Sequence, residues 1–153
     1  MDDAAGPLLL IVTGSGVDAE LRDRPLAYEL AERVVDWCAA HGEVMSTAVR
    51  PVVVSDLGYL NDKSLQRLPT IGIGGPEQNA FTEYYAGFLP DPNPIEDTER
   101  QVVIQMDPEF TDLHVSVWGS TADLTQRGVE LFCEDYLDRY LRAVATQVEP
   151  MVD

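Results

Sequence analysis

Leu8-Leu9-Leu10-Ile11-Val12-Thr13 is an unbroken apolar run, and Gly14-Ser15-Gly16 ends it. A short run of this kind, with no alternation of polar residues, reads as a strand covered on both faces, as in parallel sheets. Downstream, Asp23 and Pro25 read as a helix start, with a capping carboxylate and a proline in the first turn. Leu26, Leu30, Val34, Trp37 and Cys38 then recur at helical spacing up to His41, and Gly42 stops the helix. Strand, glycine turn and amphipathic helix together are the opening of an α/β domain.

The rest of the chain repeats this grammar. Pro51–Ser55 reads as a second buried strand, closed by Asp56 and Gly58. Asp62–Leu68 has room for one or two helical turns before Pro69. Thr70–Gly74 reads as a third strand, in which Gly72 implies close approach of a neighbouring element. Asn79 caps a helix over about Ala80–Phe88, and the alternate prolines of Pro90–Thr98 read as a loop. Gln101–Met106 and Leu113–Trp118, six residues apart, predict an antiparallel hairpin at one edge of the sheet. One long helix, about Ala122–Thr146, follows. The expected fold is therefore a single three-layer α/β domain. Its sheet is five-stranded and mostly parallel with one antiparallel strand, and helices lie on both faces.

Composition bounds the function. The chain has 153 residues, with 27 acidic and 10 basic side chains, for a formal charge of −17. Nucleic-acid binding by phosphate neutralisation needs a basic face, so it is excluded, as is docking on anionic lipid. No apolar run approaches the roughly 18 residues of a membrane helix. The amino-terminal segment lacks the basic and cleavable regions of a signal peptide, so the expected location is cytoplasmic. Nine arginines accompany a single lysine, Lys63. An acid-rich, lysine-poor surface suits a high-salt cytoplasm, where screening removes self-repulsion, and it also arises from an arginine-favouring genome. Cys38 and Cys133 both fall on helical apolar stripes and read as buried thiols; His41 and His114 supply no metal-ligand spacing.

In a mostly parallel sheet, ligands bind at the carboxyl ends of the strands. Four loops converge there: Thr13–Gly16, Ser55–Gly58, Gly74–Asn79 and Gly119–Thr121. The candidate ligand-binding residues are Gly14, Ser15, Gly16, Asp56, Gly75, Glu77, Asn79, Ser120 and Thr121. Glycines let backbone N–H groups face an anion, and helix starts add partial positive charge, although turn chemistry alone also calls for these residues. Gly14-Ser15-Gly16-Val17-Asp18-Ala19 formally matches the dinucleotide pattern G-x-G-x-x-A. Against it, Asp23 and Pro25 place the helix start beyond the motif, and the acid ending the second strand, Asp56, lies 42 positions after Gly14. Nor does the loop hold a basic residue. No P-loop is present, and Ser15 lacks the outer glycines of a nucleophile elbow. No catalytic residue, metal or cofactor is assigned.

Ile71-Gly72-Ile73-Gly74-Gly75-Pro76-Glu77-Gln78-Asn79 resembles the strand-then-GGPxxN signature of domains in archaeal surface-layer proteins. Gly119-Ser120-Thr121-Ala122-Asp123-Leu124-Thr125 is similar to their second signature, a glycine turn with acid and threonine opening a helix. The resemblance implies a small α/β module used for protein contacts, without catalysis. Two functions are therefore carried forward. One is a non-catalytic interaction module whose partner is another protein or a second copy. The other is a small-ligand, nucleotide or anion-binding α/β protein, with hydrolysis as an extension. Self-association also follows from the last helix, whose roughly 37 Å at 1.5 Å per residue would outrun a small sheet near Tyr136, Tyr140 and Leu141.

The charge has a measurable consequence. Because the Debye length falls from about 10 Å at 0.1 M salt to about 3 Å at 1 M, the melting temperature should rise clearly between low salt and about 1–2 M KCl. A flat profile would remove the high-salt reading.

Overall fold

The computed structural model describes residues 6–44, 49–90, 93–94 and 102–148. The strands are β1 (Leu8–Thr13), β2 (Arg50–Ser55), β3 (Thr70–Ile73), β4 (Asn93–Pro94), β5 (Val102–Gln105) and β6 (His114–Gly119). The helices are α1 (Arg24–Ala40), α2 (Asp56–Leu60), α3 (Ala80–Tyr85), α4 (Ala122–Asp135) and α5 (Leu137–Val148). All strands form one sheet in the order β2-β1-β3-β6-β5-β4. Strands β2, β1, β3 and β6 are parallel, while β5 runs antiparallel to β6 and β4 antiparallel to β5. Five principal strands thus make the expected mixed, mostly parallel sheet, and the two-residue β4 borders it.

The helices cover both faces. On one, Leu9, Ile11, Ile71, Ile73, Val115 and Val117 meet the apolar stripes of α1, α4 and α5. On the other, Leu10 and Val12 meet Tyr59 of α2 and Phe81 and Tyr85 of α3. Gly72 is the contact point of that second layer. A Cβ there would overlap the Phe81 ring, so α3 lies as close to β3 as the absence of a side chain permits. Cys38 is buried in the α1 layer, and Cys133 packs half-buried beside it, where burial pushes its thiol up to about 11.

Several local expectations are corrected. The helix after β1 does not begin at Asp23: helical backbone starts at Val17 and passes through a π-helical turn, Ala19–Asp23, into α1. The Arg24 N–H bonds the Ala19 carbonyl, five residues back. That widened turn accommodates Pro25, which lacks an N–H and whose ring would crowd the carbonyl four residues earlier. Strand β2 is not covered on both sides but is an edge, with Val52 exposed. Asp56 opens a helix, α2, which Ser55 caps by accepting the Gly58 N–H at 3.3 Å. Asn93–Pro94, expected in a loop, forms β4 at the sheet border, where a missing donor costs no ladder bond; much of the remaining proline-rich segment lies outside the described residues.

The long carboxyl-terminal helix is in fact two. The chain leaves helical geometry at Tyr136 (φ −128°, ψ −22°) and resumes as α5. This bend returns Tyr140, Leu141 and Val144 to the core, where all three are fully buried. The Tyr140 hydroxyl donates to the Leu113 carbonyl at 2.8 Å. Tyr140 and Leu141, expected near an overhanging end of the helix, are thus core residues. No helix among the described residues is long and apolar enough to cross a membrane.

At the carboxyl edge the centre of the sheet is closed by Asn79. Its amide donates to the Val12 and Ile73 carbonyls, both at 2.9 Å, joining the ends of β1 and β3. Its Oδ1 accepts the Phe81 N–H at 2.9 Å and so caps α3. Asn79→Asp would keep the cap but turn an anionic oxygen toward two buried carbonyls. We expect it to destabilise the protein by about 3 kcal/mol or more, exceeding a typical lost neutral hydrogen bond. Urea unfolding of the two proteins checks this; equal midpoints would refute it.

Candidate functional site

The sheet order places the change of winding direction between β1 and β3, since the chain crosses from β1 to β2 on one side and from β2 to β3 on the other. Ligands of open α/β sheets enter the crevice at such a point. Here it is filled. Besides the Asn79 bridge, Gly14 lies directly against the Gln78 carbonyl, where any Cβ would collide with it. Asp56 is buried and tightens the same region. Its two oxygens accept the Ser15 hydroxyl at 2.6 Å and the Ala80 N–H at 2.8 Å, tying the β1 loop to the start of α3. Gly14, Asp56 and Asn79 therefore act as joints of the fold.

Ser15, Gly16 and Glu77 border a shallow hollow beside this plug, together with Val17, Asp18 and Asp56. The early helix start does satisfy that part of the dinucleotide pattern. The electrostatics do not: Asp18, Asp56 and Glu77 surround the hollow, and its lining has no Lys or Arg. A pyrophosphate there would meet three carboxylates without a counter-charge.

The more enclosed cavity lies one strand over, between the β3 and β6 loops, and has a volume of about 350 Å³. Gly75, Glu77, Ser120 and Thr121 line it, so four of the nine sequence candidates meet here. The β6-to-α4 turn is fixed by Thr125, whose hydroxyl accepts the Gly119 N–H at 3.1 Å and donates to the Gly119 carbonyl at 3.3 Å. Thr121 caps α4 by accepting the Leu124 N–H at 3.2 Å. Trp118 forms another wall, and Gly75 packs close against its six-membered ring.

Asp23 and Arg22, which the sequence reading did not select, complete the lining. Asp23 is only 4% exposed, and its Oδ2 has no hydrogen-bond partner. The carboxylate sits beside Gly74, whose φ of +117° is open to glycine and where a Cβ would stand 2.8 Å from Oδ2. Burial pushes the Asp23 carboxyl up to about 6, against a partial offset from Arg22 and a further rise from Asp18. The sequence signal for Asp23 was present but assigned to capping; the π-helical turn instead places it within the helix, with no side-chain cap bond.

Neither histidine takes part. His41 ends α1 at the amino edge of the sheet, stacked on Trp37, and its Nδ1 bonds the Trp37 carbonyl at 2.8 Å. His114 starts β6 at that same edge, between Asp112 and the Gln66 carbonyl. No group of three or more His, Cys, Asp or Glu among the described residues is arranged to hold a metal ion. No protein-family model matches the chain, nor does a curated protein or a solved structure.

Asp23 makes stability depend on pH in a definite direction. Between its ordinary value of 3.8 and about 6, the folded protein retains a proton that the unfolded chain has released. Its contribution is therefore fully present below pH 3.8 and is lost as pH rises through 6. Asp23→Asn should raise stability at neutral pH by about 1–3 kcal/mol and change it little in mild acid. Parallel unfolding curves with a constant difference across this range would contradict the assignment.

Proposed function

We propose that this protein binds a small molecule in the cavity at the carboxyl edge, between the β3 and β6 loops. The observation that carries the reading is the cavity itself, of about 350 Å³, walled by Trp118, Gly75, Ser120 and Thr121 with the carboxylate of Asp23 in its lining. A buried carboxylate without donors costs several kcal/mol in apolar surroundings, roughly 1–3 kcal/mol of it the desolvation of one unsatisfied polar atom. Asp23 bears that cost at the wall of the cavity, with its Oδ2 turned to Gly74. Three hydroxyl residues (Ser120, Thr121 and Thr125), a tryptophan and the amino end of α4 line the same space. The reading assigns binding; Ser15, expected among the ligand-binding residues, is committed to Asp56 and lines the other hollow.

A panel of nucleosides, sugars, amino acids and carboxylic acids, screened by thermal shift, tests it. At least one compound should raise the melting temperature, and the rise should vanish in Ser120→Trp, which fills the cavity from an exposed position. The absence of any rise, or one that Ser120→Trp leaves intact, would overturn the reading.

A non-catalytic interaction module is the second reading, and one surface feature favours it. Val17, Leu21, Tyr28 and Val35 are all more than half exposed and follow one another at near-helical spacing along the first helix. Such a stripe suits contact with a second copy. Light scattering should then give a dimer mass that falls to the monomer in Leu21→Glu/Tyr28→Glu. A monomer in both would remove this reading.

A further inference from the structure

The backbone of β2 turns a definite set of groups outward. The Arg50 N–H donates to the Pro7 carbonyl at 2.8 Å, and Leu8–Thr13 then pairs in parallel with Arg50–Ser55. Alternate residues of a paired strand serve one neighbour, so Arg50, Val52 and Val54 bond β1. Pro51, Val53 and Ser55 direct their backbone groups the other way, and among the described residues no strand lies beyond β2. Pro51 offers a carbonyl and no N–H. Val53 offers both. Ser55 offers an N–H, while its carbonyl, at the N-cap, accepts within α2.

This order of groups is complementary to itself. With a second β2 laid antiparallel, Val53 opposite the partner's Val53, the two valines exchange N–H and carbonyl. Each Ser55 N–H then meets the carbonyl of the partner's Pro51. The donor that proline lacks would have faced a Ser55 carbonyl, which α2 already uses. Other registers waste a group. A slip toward the amino end sets the Val53 carbonyl against the proline, and a slip toward the carboxyl end sets the Val53 N–H against the Ser55 carbonyl. The side chains agree with the central register. Val52, 39% exposed, would lie beside the partner's Val54 on the face that α2 covers. Val53 would lie beside the partner's Val53 on the α1 face. The register of β2 with β1 is unbroken, and β2 has no acidic side chain on a chain with 27, so neither bulge nor carboxylate guards this edge. The flanking helices add exposed apolar side chains, Val35 of α1 and Leu57 of α2.

We propose that β2 pairs edge to edge with β2 of a second copy, about a two-fold axis at Val53, so that two sheets continue as one. This rests on the second reading given above only for the partner, a second copy, and places the contact at the strand edge. The −17 of each copy opposes the approach, so the pairing strengthens as salt screens it.

Light scattering on the full chain in about 1 M KCl should give twice the 16.9 kDa of one copy. Amide hydrogen exchange, followed by NMR, reads the register. The Val53 and Ser55 amides should exchange about tenfold or more slowly in the dimer than after dilution to the monomer. Those of Val52 and Val54, bonded to β1, should be protected in both. Val53→Pro removes only an outward N–H and leaves the β1 ladder whole, so it should restore the monomer mass with an unchanged circular dichroism spectrum. Val52→Lys, which would bury an ammonium group against the partner's Val54, should do the same and decides the matter if the proline variant does not fold. A monomer at every concentration would overturn this proposal and the second reading together. A dimer that survives these variants, with the Val53 amide exchanging freely, would overturn the edge pairing alone. Its loss in Leu21→Glu/Tyr28→Glu would then leave the α1 stripe as the contact.

Discussion

The amide of Asn79 holds the centre of this structure. Parallel strands end with carbonyls that have no further ladder partner, and two of them, from Val12 and Ile73, face the buried side of a loop. Asn is well suited to the position because it carries two donors and an acceptor on one short plane. The donors close β1 onto β3 while the acceptor starts α3. With that joint made, the Gln78 carbonyl can rest on Gly14, and Asp56 can reach the Ala80 N–H. The cost is positional: the usual ligand crevice of an open α/β sheet is occupied by the protein itself. A cavity at this edge must open elsewhere, and it opens one strand over, where β6 and α4 stand off from the β3 loop.

The main strands were legible because continuous apolar runs leave few alternatives. β1 and β3 are covered on both faces, and their sequences show it. The hairpin was legible from its short connection. What misled were local rules that tertiary packing overrode. Asp23 followed by Pro25 has the chemistry of a helix start, yet the chain was already helical, and a π turn absorbed the proline. The periodicity from Val129 to Val144 continues across Tyr136, so nothing in the spacing marks the break there. Only the need to bring Tyr140 back against Leu113 does so, and that contact is set by the fold.

The candidate site divides along the same line. Ser120, Thr121, Gly75 and Glu77 were found because strand-to-helix loops must gather at one edge, a consequence of topology alone. Gly14, Asp56 and Asn79 reach that edge too, but they serve the joint, and residue type could not separate the two uses. Asp23 went unselected for the opposite reason. Its chemistry depends on burial, which the sequence conceals when the preceding residues look like a polar loop. A carboxylate between two arginines reads as a surface group until the turn of the helix is known.

Among the described residues three buried side-chain atoms have no hydrogen-bond partner, and their unequal cost shows why Asp23 stands apart. Thr13 and Ser116 leave a hydroxyl oxygen unmatched. A hydroxyl is neutral, rotates to find weak contacts, and costs roughly 1–3 kcal/mol when orphaned. Both sit in strands of the sheet, where their small size suits tight packing. Asp23 shares none of these excuses. Its charge resists burial, which is why its carboxyl is pushed up to about 6, and near neutral pH it is still largely ionised. Neither strand packing nor helix capping requires it, since it makes no side-chain cap bond. An asparagine of the same shape would fill the position at lower cost. The fold therefore keeps at this position a charge that neither strand packing nor helix capping requires.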